Sequence, residues 1–248
     1  MIFFFTLLGL IFGSFIGALT YRLPKRISIK KGRSFCPWCK LNIAWHDNIP
    51  LISYLLLGGK CRNCKRKISV RYPIIEALTA ILFTLAAYAY QNNFVLLVLS
   101  LLTICLLVSI FVIDFEHQLI PDELVFVGLA AVLLYLLSSS FFYQNLLAGL
   151  SASLFLLFIH FATLGRGMGL GDVKLVLFLG AILGMSNLVY FFFASFLTGG
   201  VVAFILILTR KAKLKQKIAF GPFLIIGFFI VCIVNLLGLG SLWSKFLL

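Results

Sequence analysis

Ile113-Asp114-Phe115-Glu116-His117-Gln118-Leu119-Ile120-Pro121-Asp122 closes a long apolar run over 94–113. A counterpart, Gly167-Met168-Gly169-Leu170-Gly171-Asp172, opens another apolar run over 173–187. Acidic side chains at the ends of membrane-type segments are costly to place, which marks Asp114 and Asp172 as candidate functional residues. The remaining sequence reads as a scaffold that brings these two together.

The chain has 248 residues, 62% of them hydrophobic, with 27 Phe. Mean hydropathy is +1.15. That composition excludes an ordinary soluble domain. Twenty-one Lys and Arg stand against seven acidic residues. Thirteen of the basic residues lie between Arg22 and Arg71 and five in 210–217, while Arg166 and Lys174 flank the glycine-rich stretch. Such clustering between apolar runs is the positive-inside pattern of a polytopic membrane protein, rather than a basic nucleic-acid module on an anchor. No nucleic-acid partner is expected. The first run lacks a basic start, and Arg22 follows it instead of preceding it. It therefore reads as a retained span with its N-terminus outside, not as a cleaved signal peptide.

A spanning helix needs about 20 mainly apolar residues. Candidate spans are 2–21, 74–90, 94–113, 124–142, 146–164, 173–187, 188–209 and 218–237, so the expected fold is all-α and polytopic with about eight transmembrane helices. Alternation places 22–73, 114–123, 165–172 and 210–217 on one side. Those loops hold every basic residue except Lys174 and Lys245, which makes that side cytoplasmic. The expected division is a first helix over 1–21, a cytoplasmic metal-binding domain over 22–73, and a membrane core of about seven helices over 74–248.

The 22–73 loop is too small to bury a dependable core unaided. It carries Cys36-Pro37-Trp38-Cys39 and Cys61-Arg62-Asn63-Cys64, a spacing that suits four thiolates around a structural zinc. Metal binding would supply the missing folding free energy. Two disulfides are the first alternative, disfavoured in a reducing compartment. Iron, which the same four thiolates suit, is the second. Cys105 and Cys232 sit within apolar runs and read as packed thiols. The segment 49–59 is apolar but too short to span, and is expected on the membrane surface or against the helices. Glu76, one turn inside the next helix, reads equally as a favourable N-terminal carboxylate and as a polar group of an active cavity.

Two carboxylates held close in a partly dry cavity cannot both ionise cheaply, so they share one proton. One then acts as general base on water while the other donates to a substrate carbonyl, as in aspartic peptidases. Gly167, Gly169 and Gly171 permit close approach of a substrate backbone. Lys174 would sit at the headgroups or tune Asp172. Pro121 interrupts the chain before the next helix, and Asp122 reads first as its N-cap. Helix capping, solvation of both aspartates, and proton or cation binding in a transporter are the alternatives. The glycine spacing does not fit a nucleotide loop. His117 lacks metal-site partners and reads as solvent-exposed, His46 is not needed beside four cysteines, and His160 reads as a polar residue in a helix interface.

The chain resembles the prepilin leader peptidase family, membrane aspartic peptidases of pilus, secretion and competence systems. The resemblance rests on 13–24, with Gly17 where asparagine is usual. It continues through Cys36, Cys39, Pro50, Ser53, Gly59, Cys61, Cys64, Arg71-Tyr72-Pro73 and Glu76. It is completed by Asp114 with Ile120-Pro121-Asp122 and by Gly167-x-Gly169-x-Gly171-Asp172-x-Lys174. It implies that Asp114 and Asp172 are the catalytic pair and that Cys36, Cys39, Cys61 and Cys64 form the metal site. It further implies cleavage after a glycine in the short basic leader of a prepilin or pseudopilin, on the cytoplasmic side of a bacterial inner membrane. S-adenosylmethionine-dependent methylation of the new N-terminus is implied by the resemblance alone. No cofactor pocket is assigned, although Glu76 and 13–22 are candidates.

The reading is therefore a membrane aspartic endopeptidase with a second, methyltransferase activity. Its partners are an apolar-helix substrate and membrane lipid. The alternatives are a peptidase that does not methylate, a proton-coupled transporter, and a noncatalytic pilus-assembly protein. Asp114, Glu116, Asp122, Glu123 and Asp172 form the one acidic concentration suited to a basic leader.

Overall fold

The computed structural model describes residues 1–28, 34–165, 167–209 and 219–238. The basic run 210–217, Arg166 and Lys245 therefore lie outside the described residues. Nine α-helices are described: α1 (Ile2–Arg22), α2 (Ile52–Leu56), α3 (Arg71–Ala89), α4 (Phe94–His117), α5 (Asp122–Leu136), α6 (Phe142–Ala162), α7 (Leu170–Leu183), α8 (Leu188–Leu208) and α9 (Gly221–Leu236). The chain divides into two compact units, Met1–Ser109 and Ile110–Leu248, with the division inside α4.

In the first unit α1 packs on α3. Gly9, Gly13 and Gly17 recur every fourth residue, so they share one face of α1 and let backbones approach, a common device of membrane helix pairs. A Cβ on Gly13 would lie 2.6 Å from Glu76 Cα. The place of a side chain at Gly17 lies against the Tyr72 ring, 3.0 Å away. Thr6 and Thr84 share a hydrogen bond of 2.8 Å across the pair, and the Phe12 and Phe83 rings meet at a tilt with centroids 5.7 Å apart.

The second unit is built around α7. Leu175, Val176, Phe178 and Leu179 are fully buried, and α5, α6 and α9 all pack against this helix. A helix surrounded on all sides is apolar all round, which is why 170–183 reads as a membrane segment. The α6–α7 contact closes at Gly149, where a Cβ would lie 2.6 Å from the Leu177 carbonyl oxygen.

The expectation of eight spans is overturned. All eight apolar runs are helical, yet five helices among the described residues are long and apolar enough to cross a membrane: α1, α3, α4, α6, and α8 with its lead-in from Met185. The other three have 15, 14 and 16 residues, in α5, α7 and α9. At the α-helical rise these reach about 21–24 Å, short of a hydrocarbon core of about 30 Å. Hydropathy continues beyond them, but the helices stop. Gly184, with φ of 71°, ends α7, and turns at Ser138 and Ser139 follow α5. The alternation argument for sidedness, which needed eight crossings, loses its arithmetic. The charge clustering stands independently of it.

Candidate active site and metal centre

Asp114 lies in the last turn of α4 and Asp172 in the first turn of α7. Both belong to the second unit and both are buried, at 4% and 8% exposure. The structure brings them within electrostatic range of one another. The Asp172 carboxylate reaches back to its own helix start, where Oδ2 accepts from the Gly169 amide at 3.1 Å. Glycine offers no side chain in return, so only the carboxylate half of a capping box exists. Asp114 meets the opposite situation. The Gly221 amide at the head of α9 donates to its carboxyl, while Asp114 Oδ2 is buried with no hydrogen-bond partner among the described residues. A buried unsatisfied oxygen is costly in a folded protein and calls for an explanation.

Ile120 packs against Gly171 and Gly221, the glycines next to the two acids. A Cβ on Gly171 would lie 3.1 Å from Ile120 Cβ, and one on Gly221 would lie 3.2 Å from Ile120 Cδ1 and would collide with Asp114 Oδ2. Space rather than backbone angle favours glycine at 221 and, less tightly, at 171. Pro121 is buried and caps α5, and Asp122 is its first residue rather than the N-cap. Asp122 instead binds Lys174, whose Nζ donates to both carboxylate oxygens at 2.9 and 2.8 Å. This exposed pair ties α5 to α7 and engages Lys174 away from Asp172.

The glycine-rich loop is held by α6. His160 Nδ1 donates to the Met168 carbonyl oxygen at 2.7 Å, and the Gly167 amide donates to Thr163 Oγ1 at 3.1 Å. Sequence reasoning placed His160 in a helix interface without linking it to this loop, left Met168 without a role, and missed Thr163, Ile120 and Gly221. The Gly221-Pro222 start of α9 was the one visible signal for Gly221, and nothing local links it to Asp114. Glu116 and Glu123 lie in the same region, with Glu116 3.9 Å from His117 Nε2.

In the first unit, Glu76 is buried within α3. Its Oε2 accepts from the Leu51 amide at 2.8 Å, and Ser14 bonds the same carboxyl. Leu51 has φ of 58° and ψ of −48°, a positive-φ conformation unusual for leucine. Glu76 therefore latches the strained start of α2 to the α1–α3 pair.

Cys36, Cys39, Cys61 and Cys64 bring their sulfurs within 4.8 Å of one another. The Cys36 and Cys64 sulfurs are 3.9 Å apart, close to the about 3.8 Å that a tetrahedral zinc with Zn–S of about 2.3 Å requires. All six described cysteines are free thiols. Two matching knuckles supply the ligands. In one, Cys36 N bonds Leu41 O and Lys40 N bonds Cys36 O. In the other, Cys61 N bonds Arg66 O and Lys65 N bonds Cys61 O. Isolated bridges Phe35–Asn42 and Lys60–Lys67 close them. This local duplication has no counterpart in the helices. Arg62 grips Asp47 with two bonds of 2.8 and 2.6 Å, and this hydrogen bonding holds the Asp47 carboxyl below its ordinary pKa.

Residues 7–90 match the bacterial peptidase A24 N-terminal domain, and residues 101–204 match the type IV leader peptidase family. A prepilin leader peptidase/N-methyltransferase of Neisseria gonorrhoeae is 35% identical, over 92% of this chain and 88% of its own length. The chain belongs to the type IV leader peptidase family. Proteins of the same description from Bacillus subtilis (strain 168) and Vibrio cholerae are 35% and 32% identical, over 88% and 92% of this chain and 88% and 94% of theirs. No solved structure gives a significant match. Bacterial relatives and five long apolar helices make this family member a multi-pass membrane protein of bacterial type.

Proposed function

We propose that Asp114 and Asp172 are the catalytic pair of a prepilin leader peptidase that also methylates the new N-terminus. Family membership carries the two activities. The observation that supports the pair is the buried, unpartnered Oδ2 of Asp114 beside a second buried aspartate. A water or a substrate carbonyl would complete the bonding of that oxygen. Like charges within electrostatic range of one another disfavour double ionisation, so the pair holds one proton between them. The ionised member removes a proton from water as it attacks the scissile carbonyl, and the protonated member donates to the carbonyl oxygen. The Gly221 and Gly169 amides orient the two carboxyls. Gly167, Pro121 and the Asp122–Lys174 pair are positioning residues in this reading, whereas Glu76 fastens the first unit.

The four thiolates fit zinc, which would fold the knuckles and leave no open coordination position for chemistry. The clustered positive charge of the knuckle loop supports a cytoplasmic site, an outside N-terminus and residence in the inner membrane. It also supports treating 22–73 as a domain apart from the first helix, 1–21, and the peptidase core, 74–248. The acidic residues 114–123 and 172 would attract a basic leader. S-adenosylmethionine supplies the methyl group when bound. The candidates Glu76 and 13–22 do not form a cradle for it, because Glu76 is engaged by Leu51 and Ser14.

The test is mass spectrometry of a co-expressed prepilin beside the Asp172→Asn variant. A shortened pilin with about 14 Da added, the mass of one methylene, is expected from the unmodified enzyme alone. A shortened pilin from Asp172→Asn removes that residue from the mechanism. A shortened pilin without added mass removes methylation.

A further inference from the structure

A shallow, open apolar groove of about 560 Å³ lies on the second unit, lined by Phe155 of α6 and by Val189, Phe192, Phe193, Phe196 and Leu197 of α8. Its walls are exposed: Phe155 at 45%, Phe193 at 55% and Leu197 at 52%. Any surface on membrane helices meets lipid, so exposure alone says nothing of a partner. Two features distinguish this groove.

The first is continuity. Ring contacts pass from Phe155 to Phe192 at 5.0 Å, to Phe196 at 6.2 Å, and to Phe220 at 5.2 Å. Phe220 immediately precedes Gly221, whose amide caps Asp114. An unbroken aromatic file thus leads from the groove to the candidate catalytic carboxyl. The second is a notch. A Cβ on Gly199 would lie 3.3 Å from Phe220, whereas one on Gly200 would meet nothing within 4 Å. Next to the end of the file, α8 presents bare backbone to open space, which admits the close approach of another helix.

Depth adds a third constraint. From Gly200, α8 continues as Val201-Val202-Ala203-Phe204-Ile205-Leu206-Ile207-Leu208, about 12 Å of apolar helix beyond the level of Phe220. The Asp114 end of the file therefore lies inside the apolar length of α8. A membrane helix reaches it sideways without leaving the apolar layer.

We infer that this groove seats the apolar helix of the substrate, with the cleaved bond at the level of Gly200 and Phe220. The inference rests on the peptidase reading above. The occupant is a helix running down α8 towards Val189. At 1.5 Å per residue its third residue after the cut lies about level with Leu197, and its eleventh about level with Val189. A lipid chain fits the groove but does not explain why the file ends at the Asp114 cap.

The experiment uses the full chain in proteoliposomes and a synthetic peptide with a basic leader ending in glycine, then phenylalanine and an apolar helix. The unmodified enzyme is first assayed for cutting; an uncut peptide refutes the peptidase reading itself. Photo-crosslinking then uses p-benzoylphenylalanine at Leu197, at Val189 and, for comparison, at exposed Leu134 on α5, each in the Asp172→Asn background. Peptide adducts at 197 and 189 in the stated register, and none at 134, are expected. Adducts only to lipid, only to a second copy of the enzyme, or equally at 134 overturn the groove while leaving the peptidase intact. In addition, Gly200→Leu should raise KM roughly tenfold or more with kcat kept within about threefold, as loss of uniform binding requires. An unchanged KM overturns the notch.

Discussion

Two buried carboxylates, one in each unit, are treated in opposite ways. Glu76 is closed: the Leu51 amide and Ser14 occupy its oxygens, and in return it holds Leu51 at a positive φ. Asp114 is left open: one amide addresses it, and Oδ2 is buried without a partner among the described residues. Burial is nearly equal, at 7% and 4% exposure, so burial does not distinguish the two. The state of hydrogen bonding does. A satisfied buried acid fastens the segments it joins, whereas an unsatisfied buried oxygen is costly and calls for an explanation.

The largest test of that contrast is exchange to amide. Asp114→Asn and Asp172→Asn should each lower cutting by about 10³-fold or more, since general acid–base transfer is worth about 10²–10⁴ and the pair acts as one unit. Glu76→Gln should leave cutting within a few-fold. Initial rates on a co-reconstituted prepilin read all three, and equal losses at 76 and 114 would erase the distinction. Next, Cys61→Ser should lose the bound metal and unfold the knuckles, read by elemental analysis and protease sensitivity of the loop. A folded, metal-free loop in the unmodified protein would remove the metal site. Gly221→Ala comes third. Its methyl collides with Asp114 Oδ2, so cutting should fall by about 10- to 100-fold, on the scale of a 1 Å misplacement at a reactive group. Retained full activity would show that Asp114 is not held as the structure has it.

A smaller effect belongs to Glu76 itself. Glu76→Gln weakens the bond from Leu51, so the loop should lose about 1–3 kcal/mol of local stability, read by hydrogen exchange at Leu51. The smallest is at Asp47. Its carboxyl is held low by the Arg62 hydrogen bond. That stabilisation is complete above the ordinary aspartate pKa of about 3.9 and is lost as pH falls through the lowered folded value. Arg62→Ala should therefore lower loop stability slightly at neutral pH, as an exposed pair warrants, and leave it unchanged at acid pH, where the interaction is already lost, so the acid limb flattens.

Some of this was legible in the chain. The residue types of the knuckles are local: Cys-x-x-Cys twice within a basic loop implies its metal because a loop of that size cannot fold on a core. Asp114 and Asp172 stood out because carboxylates at the ends of apolar runs are rare and costly. Hydropathy also found all eight apolar helices but overstated their reach. It adds up along the chain without regard to where a helix is stopped, and Gly184 and the turns after α5 stop two of them early.

What the sequence by itself determined is a basic, multi-pass membrane protein with a four-thiolate site and two candidate acids, because those features are set by composition and short spacing. Which acid is satisfied and which is open was decided by the tertiary structure. The Gly221 amide reaches Asp114, and Ile120 reaches Gly171 and Gly221, only when separate helices pack together. His160 likewise reaches the Met168 carbonyl through a turn of the backbone. Hydrogen bonds between distant segments depend on geometry a few tenths of an ångström wide, and no local pattern of residues encodes that.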